Sequence, residues 1–277
     1  MNIVHRISQL ILFVYLPIIN AQPVNSNSNT MQDRIQKIID KTVENKRVFG
    51  AAFSLRQDST QLIFNSGNIK QDKQYFIAST TKLFTTAMIL QLKSEGMLKL
   101  KDPLSKYFDS GILKGLHVLK GVNYSYQITV EQLLAHTSGL PDYFQDKNAQ
   151  GVSLENQLVS GNDVYWSFED AVNRSKKLKP KFKPGTPGKA HYSDLNFQLL
   201  GKIIEKITGL SYSDACNIRI IEPLELKSTY LFQDSFDDRP HKLYYKSSQL
   251  NIPKAMVSFG PDGGMVSNQS DMLVFIQ

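Results

Sequence analysis

Ser79-Thr80-Thr81-Lys82 is the one S-x-x-K in the chain, and it falls at the start of a strongly helical run. An i, i+3 spacing puts Lys82 on the same helix face as Ser79, within reach of its hydroxyl. The helix N-terminus favours the negative charge that grows on an attacking serine oxygen. Burial lowers a lysine pKa, and a neutral amine can then take the serine proton, the activation so weak a nucleophile requires. These residues suggest acyl transfer through Ser79 with Lys82 as base. The alternative is a capping serine followed by a solvated lysine.

Tyr192-Ser193-Asp194 follows the turn-rich Pro184-Gly185-Thr186-Pro187-Gly188 and precedes a long apolar-striped segment. Two readings are open. Ser193 or Asp194 caps the helix with Tyr192 packed at its entrance, or Tyr192 is a general acid or base tuned by a nearby lysine while Asp194 bonds to Lys82 or to substrate. The single cysteine, Cys216, excludes an intrachain disulfide and leaves no Cys/His cluster for a metal. With no phosphate loop either, neither metal nor cofactor is expected. Cys216 reads as buried filler in an apolar helix, and Trp166, beside a helix cap, as packing. Lysines 176, 177, 179, 181 and 183 form either a solvated helix end or a patch that steers anionic substrates.

The elements that must position these residues are marked by local signals. Residues 31–45 place Ile35, Ile38, Ile39 and Val43 at helical spacing, and the runs 49–55 and 61–64 read as an antiparallel hairpin. A helix is predicted from about Ser79 to Ser94, stopped by Gly96. Thr129 with Gln132 makes a capping box opening a helix to His136, and Ser167 with Asp170 opens another through Leu178. Leu195, Leu199, Leu200, Ile203, Ile204 and Ile207 form one stripe that ends at Gly209, and Pro223 closes a further helix. Beyond Lys227 come short strands, Gly263-Gly264 and a helical start at Ser270-Asp271.

The chain has 277 residues, 41% hydrophobic and 21% charged, which excludes disordered, collagenous and polytopic membrane proteins. A net charge of +7 favours anionic surfaces or carboxylate ligands, but no nucleic-acid signature accompanies it, so no nucleic acid is expected as partner. Residues 1–21 have the layout of a signal peptide: His5 and Arg6, an apolar run from Leu10 to Ile19, then Asn20-Ala21. The run is about half of the roughly 20 residues that span a bilayer and is interrupted by Pro17. Cleavage after Ala21 and a periplasmic or secreted mature protein with no stable membrane insertion are therefore expected.

Taken together and in order, six segments resemble the serine beta-lactamase-like hydrolase family, which includes class C beta-lactamases, D-alanyl-D-alanine carboxypeptidases and related esterases. They are Phe76-Ile-Ala-Ser-Thr-Thr-Lys82, Thr129-Val-Glu-Gln-Leu-Leu-Ala-His-Thr-Ser-Gly-Leu-Pro141, Lys183-Pro-Gly-Thr186, Tyr192-Ser-Asp-Leu-Asn-Phe-Gln-Leu-Leu-Gly201, Ile221-Glu-Pro-Leu224 and Gly263-Gly-Met265. The resemblance covers roughly residues 30–277. It implies that Ser79 is the acylated nucleophile, Lys82 its base, and Tyr192 the partner that passes a proton to the leaving group and activates water. Asp194, Gly263 and Gly264 would support substrate binding, and His136 would belong to a structural loop. Asp194 stands where the family more often has asparagine, and an ionised aspartate there would tend to keep Lys82 charged.

The implied fold is α/β (α+β), beta-lactamase/transpeptidase-like: an antiparallel sheet flanked by helices, with a largely helical inserted domain. The domain division expected is 1–21 signal peptide, 22–101 the first part of the sheet domain with the Ser79 helix, 102–255 mainly helical, and 256–277 a return to the sheet domain. The family's third motif, Lys-Thr-Gly or His-x-Gly, does not occur in the 277 residues. Its strand supplies the second oxyanion donor, a loss worth about 2.7–4 kcal/mol or 100- to 1,000-fold in rate. The sequence-based expectation is a truncated homologue lacking the C-terminal strands. Two functions follow from it: a monomeric, exported serine hydrolase acting on a small-molecule or peptidoglycan-peptide amide, beta-lactam or ester, or an impaired homologue that only binds.

Overall fold

The computed structural model describes residues 28–44 and 48–277. The expected signal segment 1–21 and its cleavage point lie outside the described residues. The amphipathic α1 (Ser28–Val43) packs on the hairpin of β1 (Gly50–Gln57) and β2 (Thr60–Gly67), whose antiparallel register sets Phe53 opposite Phe64. The two-residue turn between the strands uses Asp58 at φ 51°, a conformation aspartate tolerates.

β3 (Tyr75–Phe76) runs into a 3-10 turn at Ala78–Thr80 and then α2 (Thr81–Ser94). The regular helix therefore starts two residues later than the sequence pattern predicts. The reason is Ala78, whose φ of 46° breaks the extended chain and delivers Ser79 to solvent at the head of the helix. A left-handed alanine costs on the order of 1–3 kcal/mol and persists only where the surroundings hold it. Here Ile77 N–H is tied to the Met265 carbonyl at 3.0 Å, and Thr81 Oγ1 accepts the Met265 N–H at 3.1 Å.

α3 (Ser110–Leu113) and the small ladder β4 (Val118–Leu119) with β5 (Val122–Asn123) precede α4 (Val130–Leu134), α5 (Leu154–Val159) and α6 (Phe168–Lys176). The two capping boxes predicted at Thr129 and Ser167 are formed, and Ser153 with Asn156 makes a third. α4 stops short of His136 because His136 adopts φ 56° and Gly139 φ 70°. Next come α7 (Asp194–Thr208), ended by Gly209 at φ 70°, and α8 (Tyr212–Cys216), continued by a π-type turn at Asn217–Ile221. The remaining elements are β6 (Tyr230–Leu231), β7 (Leu243–Tyr245), β8 (Ser248–Leu250), α9 (Pro253–Phe259), β9 (Met265–Ser267) and α10 (Gln269–Phe275).

β9 is the hub of the sheet order β3-β9-β6, with Val266 paired to both Phe76 and Tyr230. This antiparallel ladder sets the segment after Gly264 beside the segment before Ser79. α7 packs against α2, α4, α8 and the turn at Gly260–Asp262, and its Leu195, Leu199, Leu200, Ile203 and Ile204 are fully buried. From α2, Phe84, Met88, Ile89 and Leu92 meet it in the same core, each such side chain contributing about 1.5–3 kcal/mol by its burial. The contact is close enough to need a glycine: a Cβ on Gly201 would lie 2.2 Å from Pro261 Cγ. Gly201→Ala should therefore lower stability by about 1–3 kcal/mol through overpacking, seen as a lower urea midpoint at unchanged m. An unchanged midpoint would show that the turn yields freely.

Candidate active site

Three elements distant in sequence converge at Ser79. The 3-10 turn and α2 carry Ser79 and Lys82, the segment entering α7 carries Tyr192 and Asp194, and the turn before β9 carries Asp262. Ser79 Oγ lies 2.7 Å from the Tyr192 hydroxyl and 3.3 Å from Lys82 Nζ. Ser79 is exposed, whereas Lys82 is only 7% exposed. The Lys82 amine donates to Asp194 Oδ1 at 2.7 Å, to the Asp262 carbonyl at 2.5 Å and to Ser79 Oγ. Three acceptors match the three hydrogens of an ammonium.

The surroundings of Lys82 favour its charged form, the direction the sequence reading gave for an ionised Asp194. Burial pulls its pKa down, but the charges of Asp194 and Asp262, the Tyr192 phenol and the bond to Asp194 together outweigh burial and hold it above the ordinary lysine value. The sequence leaves open whether the lysine is buried and does not reveal how many acceptors surround it. Tyr192 is pushed up to about 12 by burial and by Asp194, against the opposing pull of Lys82, so its phenol keeps its proton near neutrality. The Ser79 hydroxyl thus sits between a phenol and an ammonium.

Asp194 is the first residue of α7, where the helix dipole favours its negative charge. Ser193 occupies the N-cap position but makes no side-chain cap; its hydroxyl donates to the Pro141 carbonyl at 2.8 Å and its N–H to His136 Nδ1 at 3.1 Å. His136 Nδ1 also accepts from Asn196 Nδ2 at 3.0 Å, which places the ring proton on Nε2. The His136 ring stacks on Tyr192 with centroids 4.6 Å apart. Burial, then the charge of Lys82, depress its pKa to about 4. A neutral imidazole thus braces the phenol from behind.

Gly264 is packed so tightly that a Cβ would fall 2.6 Å from Gly260 N, and its N–H closes the turn onto the Gly260 carbonyl at 2.9 Å. Gly263 and Gly264 thereby set the Asp262 carbonyl against Lys82. Sequence reasoning passed over four buried polar residues here: Asp142, Tyr143, Gln198 and Asp262. Asp262 Oδ2 accepts from Tyr143 at 2.8 Å and from Gln198 at 3.1 Å, and Asp142 Oδ1 accepts the Phe144 N–H at 3.0 Å. Burial, then the charge of Asp194, push both carboxyls well above the usual range. The only hint in the sequence was position, since Asp142-Tyr143 follows Pro141 and Asp262 precedes Gly263.

Of the five lysines before Tyr192, Lys181 pairs with Asp146 at 2.7 Å, Lys176 donates to the Gly111 carbonyl, and Lys183 lies over the Tyr124 ring. Cys216 is buried, its thiol pushed up to about 12 by that burial. Trp166 packs edge-on against Tyr143 and Phe259. Ser79 itself is exposed, and a hollow of about 350 Å³ is lined by Thr137 and residues 185–190.

Residues 35–277 match the family model described as Beta-lactamase. The chain belongs to the beta-lactamase family. Its fold is the beta-lactamase/transpeptidase-like one: a D-stereospecific amidohydrolase from Streptomyces superposes with a TM-score of 0.72 at 27% identity, over 88% of this chain and 72% of that one. Protein flp of Staphylococcus aureus strain MW2 is 30% identical over 233 residues, 79% of this chain and 42% of its own length. A teichoic acid D-alanine hydrolase of Staphylococcus aureus is 26% identical over 235 residues, 76% of this chain and 51% of its own. The chain thus spans about half or less of the length of these two curated relatives.

The His136 environment gives this beta-lactamase-family fold a pH signature. A histidine whose folded pKa is about 4 against 6.5 unfolded contributes stability that is complete above pH 6.5 and lost as pH falls toward 4. In urea titrations across that window, His136→Asn should flatten the decline. An unchanged slope would assign it to other groups.

Proposed function

We propose that the chain is an exported serine hydrolase that forms an acyl-enzyme on Ser79 from an amide or ester of a D-amino acid. The observation that carries this reading is Ser79 Oγ held at 2.7 Å from Tyr192 and 3.3 Å from Lys82. The substrate class is supported by the names of the Streptomyces D-stereospecific amidohydrolase and the teichoic acid D-alanine hydrolase. Export is supported by the signal layout of residues 1–21 and by the teichoic acid named in the second relative. Among the described residues, no helix is long and apolar enough to cross a membrane.

With Lys82 an ammonium and Tyr192 a phenol, the proton path that fits the geometry runs through Tyr192. As Ser79 Oγ attacks the carbonyl carbon, its proton passes to the Tyr192 oxygen and the phenolic proton passes on to the leaving nitrogen or oxygen. The phenol ends neutral, the Ser79 ester forms and the leaving group departs protonated. Deacylation reverses the path, with water in place of the leaving group. Lys82 contributes charge: its ammonium stabilises the negative charge passing over Ser79 Oγ and the phenolic oxygen, in a setting that strengthens electrostatics. The Ser79 N–H, at the head of the helix, would serve as an oxyanion donor.

Intact-mass measurement of the chain after a fluorophosphonate should show a stoichiometric adduct that is lost in Ser79→Ala. A folded wild type with no adduct would sink the hydrolase reading in favour of a binding protein. Asp194→Asn tests the state of Lys82. Removing the countercharge leaves burial dominant, so the Lys82 pKa falls; if the ammonium is the working form, the variant should lose activity at lower pH than wild type as pH rises. Activity extending to lower pH instead would identify Lys82 as a neutral base.

A further inference from the structure

The third acceptor of Lys82 is a backbone carbonyl in a segment with little stiffness of its own. Gly260-Pro261-Asp262-Gly263-Gly264 has three glycines in five residues, with Gly260 at φ 49°. Glycine carries more backbone freedom than any other residue, so such a turn holds one geometry only where outside bonds fix it. Two sets of bonds do so. Thr85 Oγ1 donates to the Pro261 carbonyl at 2.8 Å while sharing a 2.7 Å bond with the Tyr212 hydroxyl. The second set is made by the Asp262 carboxyl, which accepts from Tyr143 at 2.8 Å and from Gln198 at 3.1 Å. Its donors are themselves pinned. Tyr143 accepts from Trp166 Nε1 at 3.3 Å, and Gln198 also donates to the Phe259 carbonyl at 2.8 Å.

The carboxyl is 1% exposed and uses only Oδ2; Oδ1 is buried with no partner among the described residues. A buried carboxyl with so few partners is costly to charge, and burial, then the charge of Asp194, push its pKa well above the usual carboxylate range. Side chain and carbonyl of Asp262 face different partners. The side chain points into the Tyr143–Gln198–Trp166 cluster, and the carbonyl meets Lys82 Nζ at 2.5 Å.

We propose that Asp262 is a positioning residue for the Ser79 chemistry: a buried carboxyl, clamped by Tyr143 and Gln198, that fixes its own backbone carbonyl on Lys82 and so aims the ammonium at Ser79 Oγ. This rests on the hydrolase reading above. It assigns a role to a residue that touches neither substrate nor the reacting oxygen. Losing the clamp frees the carbonyl, lets the ammonium drift toward Asp194 and lengthens the contact with Ser79. Misplacement by about 1 Å at a reacting site lowers rate by roughly 100-fold without changing what binds.

The test compares Asp262→Asn, Asp262→Ala and Tyr143→Phe in the full chain. Hydrolysis of p-nitrophenyl acetate gives kcat and KM, and deuterium uptake is followed for the peptide covering 257–266. Asparagine offers the same acceptor beside a neutral N–H group, so Asp262→Asn should stay within about threefold of wild type in kcat with unchanged uptake. Asp262→Ala should lose about 10- to 100-fold in kcat at constant KM and exchange faster in that peptide alone. Tyr143→Phe, which removes one donor and stands in should the alanine variant not fold, should fall between the two. Wild-type kcat and uptake in Asp262→Ala would overturn the proposal, as would Asp262→Asn impaired as severely as Asp262→Ala. If the wild type neither turns over nor is acylated, the hydrolase reading fails. Unchanged exchange in the variants would then overturn the clamp, and faster exchange on clamp removal would uphold it.

Discussion

The buried ion pair between Lys82 and Asp194, 2.7 Å long with both side chains under a tenth exposed, is the constraint around which the cleft is organised. Taking two charges out of water is repaid only when the geometry is good and the remaining hydrogens and lone pairs are satisfied. That requirement explains why three separate pieces of chain meet at one amine. α2 brings the ammonium, the start of α7 the carboxylate, and the turn before β9 a carbonyl for the hydrogen that Asp194 and Ser79 leave over. Breaking such a pair from one side costs about 3–5 kcal/mol, so the site is also part of what holds the helices together.

One cation is set among several acids. Asp142 and Asp262 both stand close enough to Asp194 to feel its charge, and both are buried with one oxygen unpartnered. Lys82 pairs with one carboxylate, and burial beside that charge pushes the pKa of the other two upward. The arrangement follows from having aspartate at position 194 where the family resemblance leads one to expect asparagine. An amide there would leave burial free to lower the lysine pKa. The carboxylate holds the ammonium, and on the proposed mechanism proton transfer falls to Tyr192, whose hydroxyl lies within hydrogen-bond reach of Ser79. His136, held neutral by burial and used as an acceptor by Ser193 and Asn196, supports the phenol without adding charge beside it.

What was legible in the sequence was local. The capping boxes at Thr129 and Ser167, the stripe of α7 with Gly209 at its end, and the first hairpin are each specified within a few residues, and each forms. The pairing of Ser79 with Lys82 was legible for the same reason, being a spacing on one helix. The Asp262 clamp was not: Tyr143, Gln198 and Asp262 are separated by 119 and 64 positions and share no spacing rule. Nor was the delayed start of α2, because alanine carries no sequence signal for the left-handed conformation of Ala78. Its φ of 46° is imposed by the β9 pairing on either side of it.

The late start of α2 connects fold to chemistry. Had the regular helix begun at Ser79, the serine would continue the α2 surface; the kink at Ala78 presents its hydroxyl to solvent while Lys82, three residues on, stays buried. In the proposed acyl transfer this makes Ser79 an exposed nucleophile above a buried cation: substrate reaches the oxygen, and the charge that would stabilise the developing anion remains in a low-dielectric setting where it acts most strongly. The same β9 ladder that holds Ala78 also carries Gly263-Gly264 and the Asp262 carbonyl to Lys82. The positive φ of Ala78 beside Ser79 and the third acceptor of the ammonium are therefore two consequences of one pairing, Phe76 against Val266.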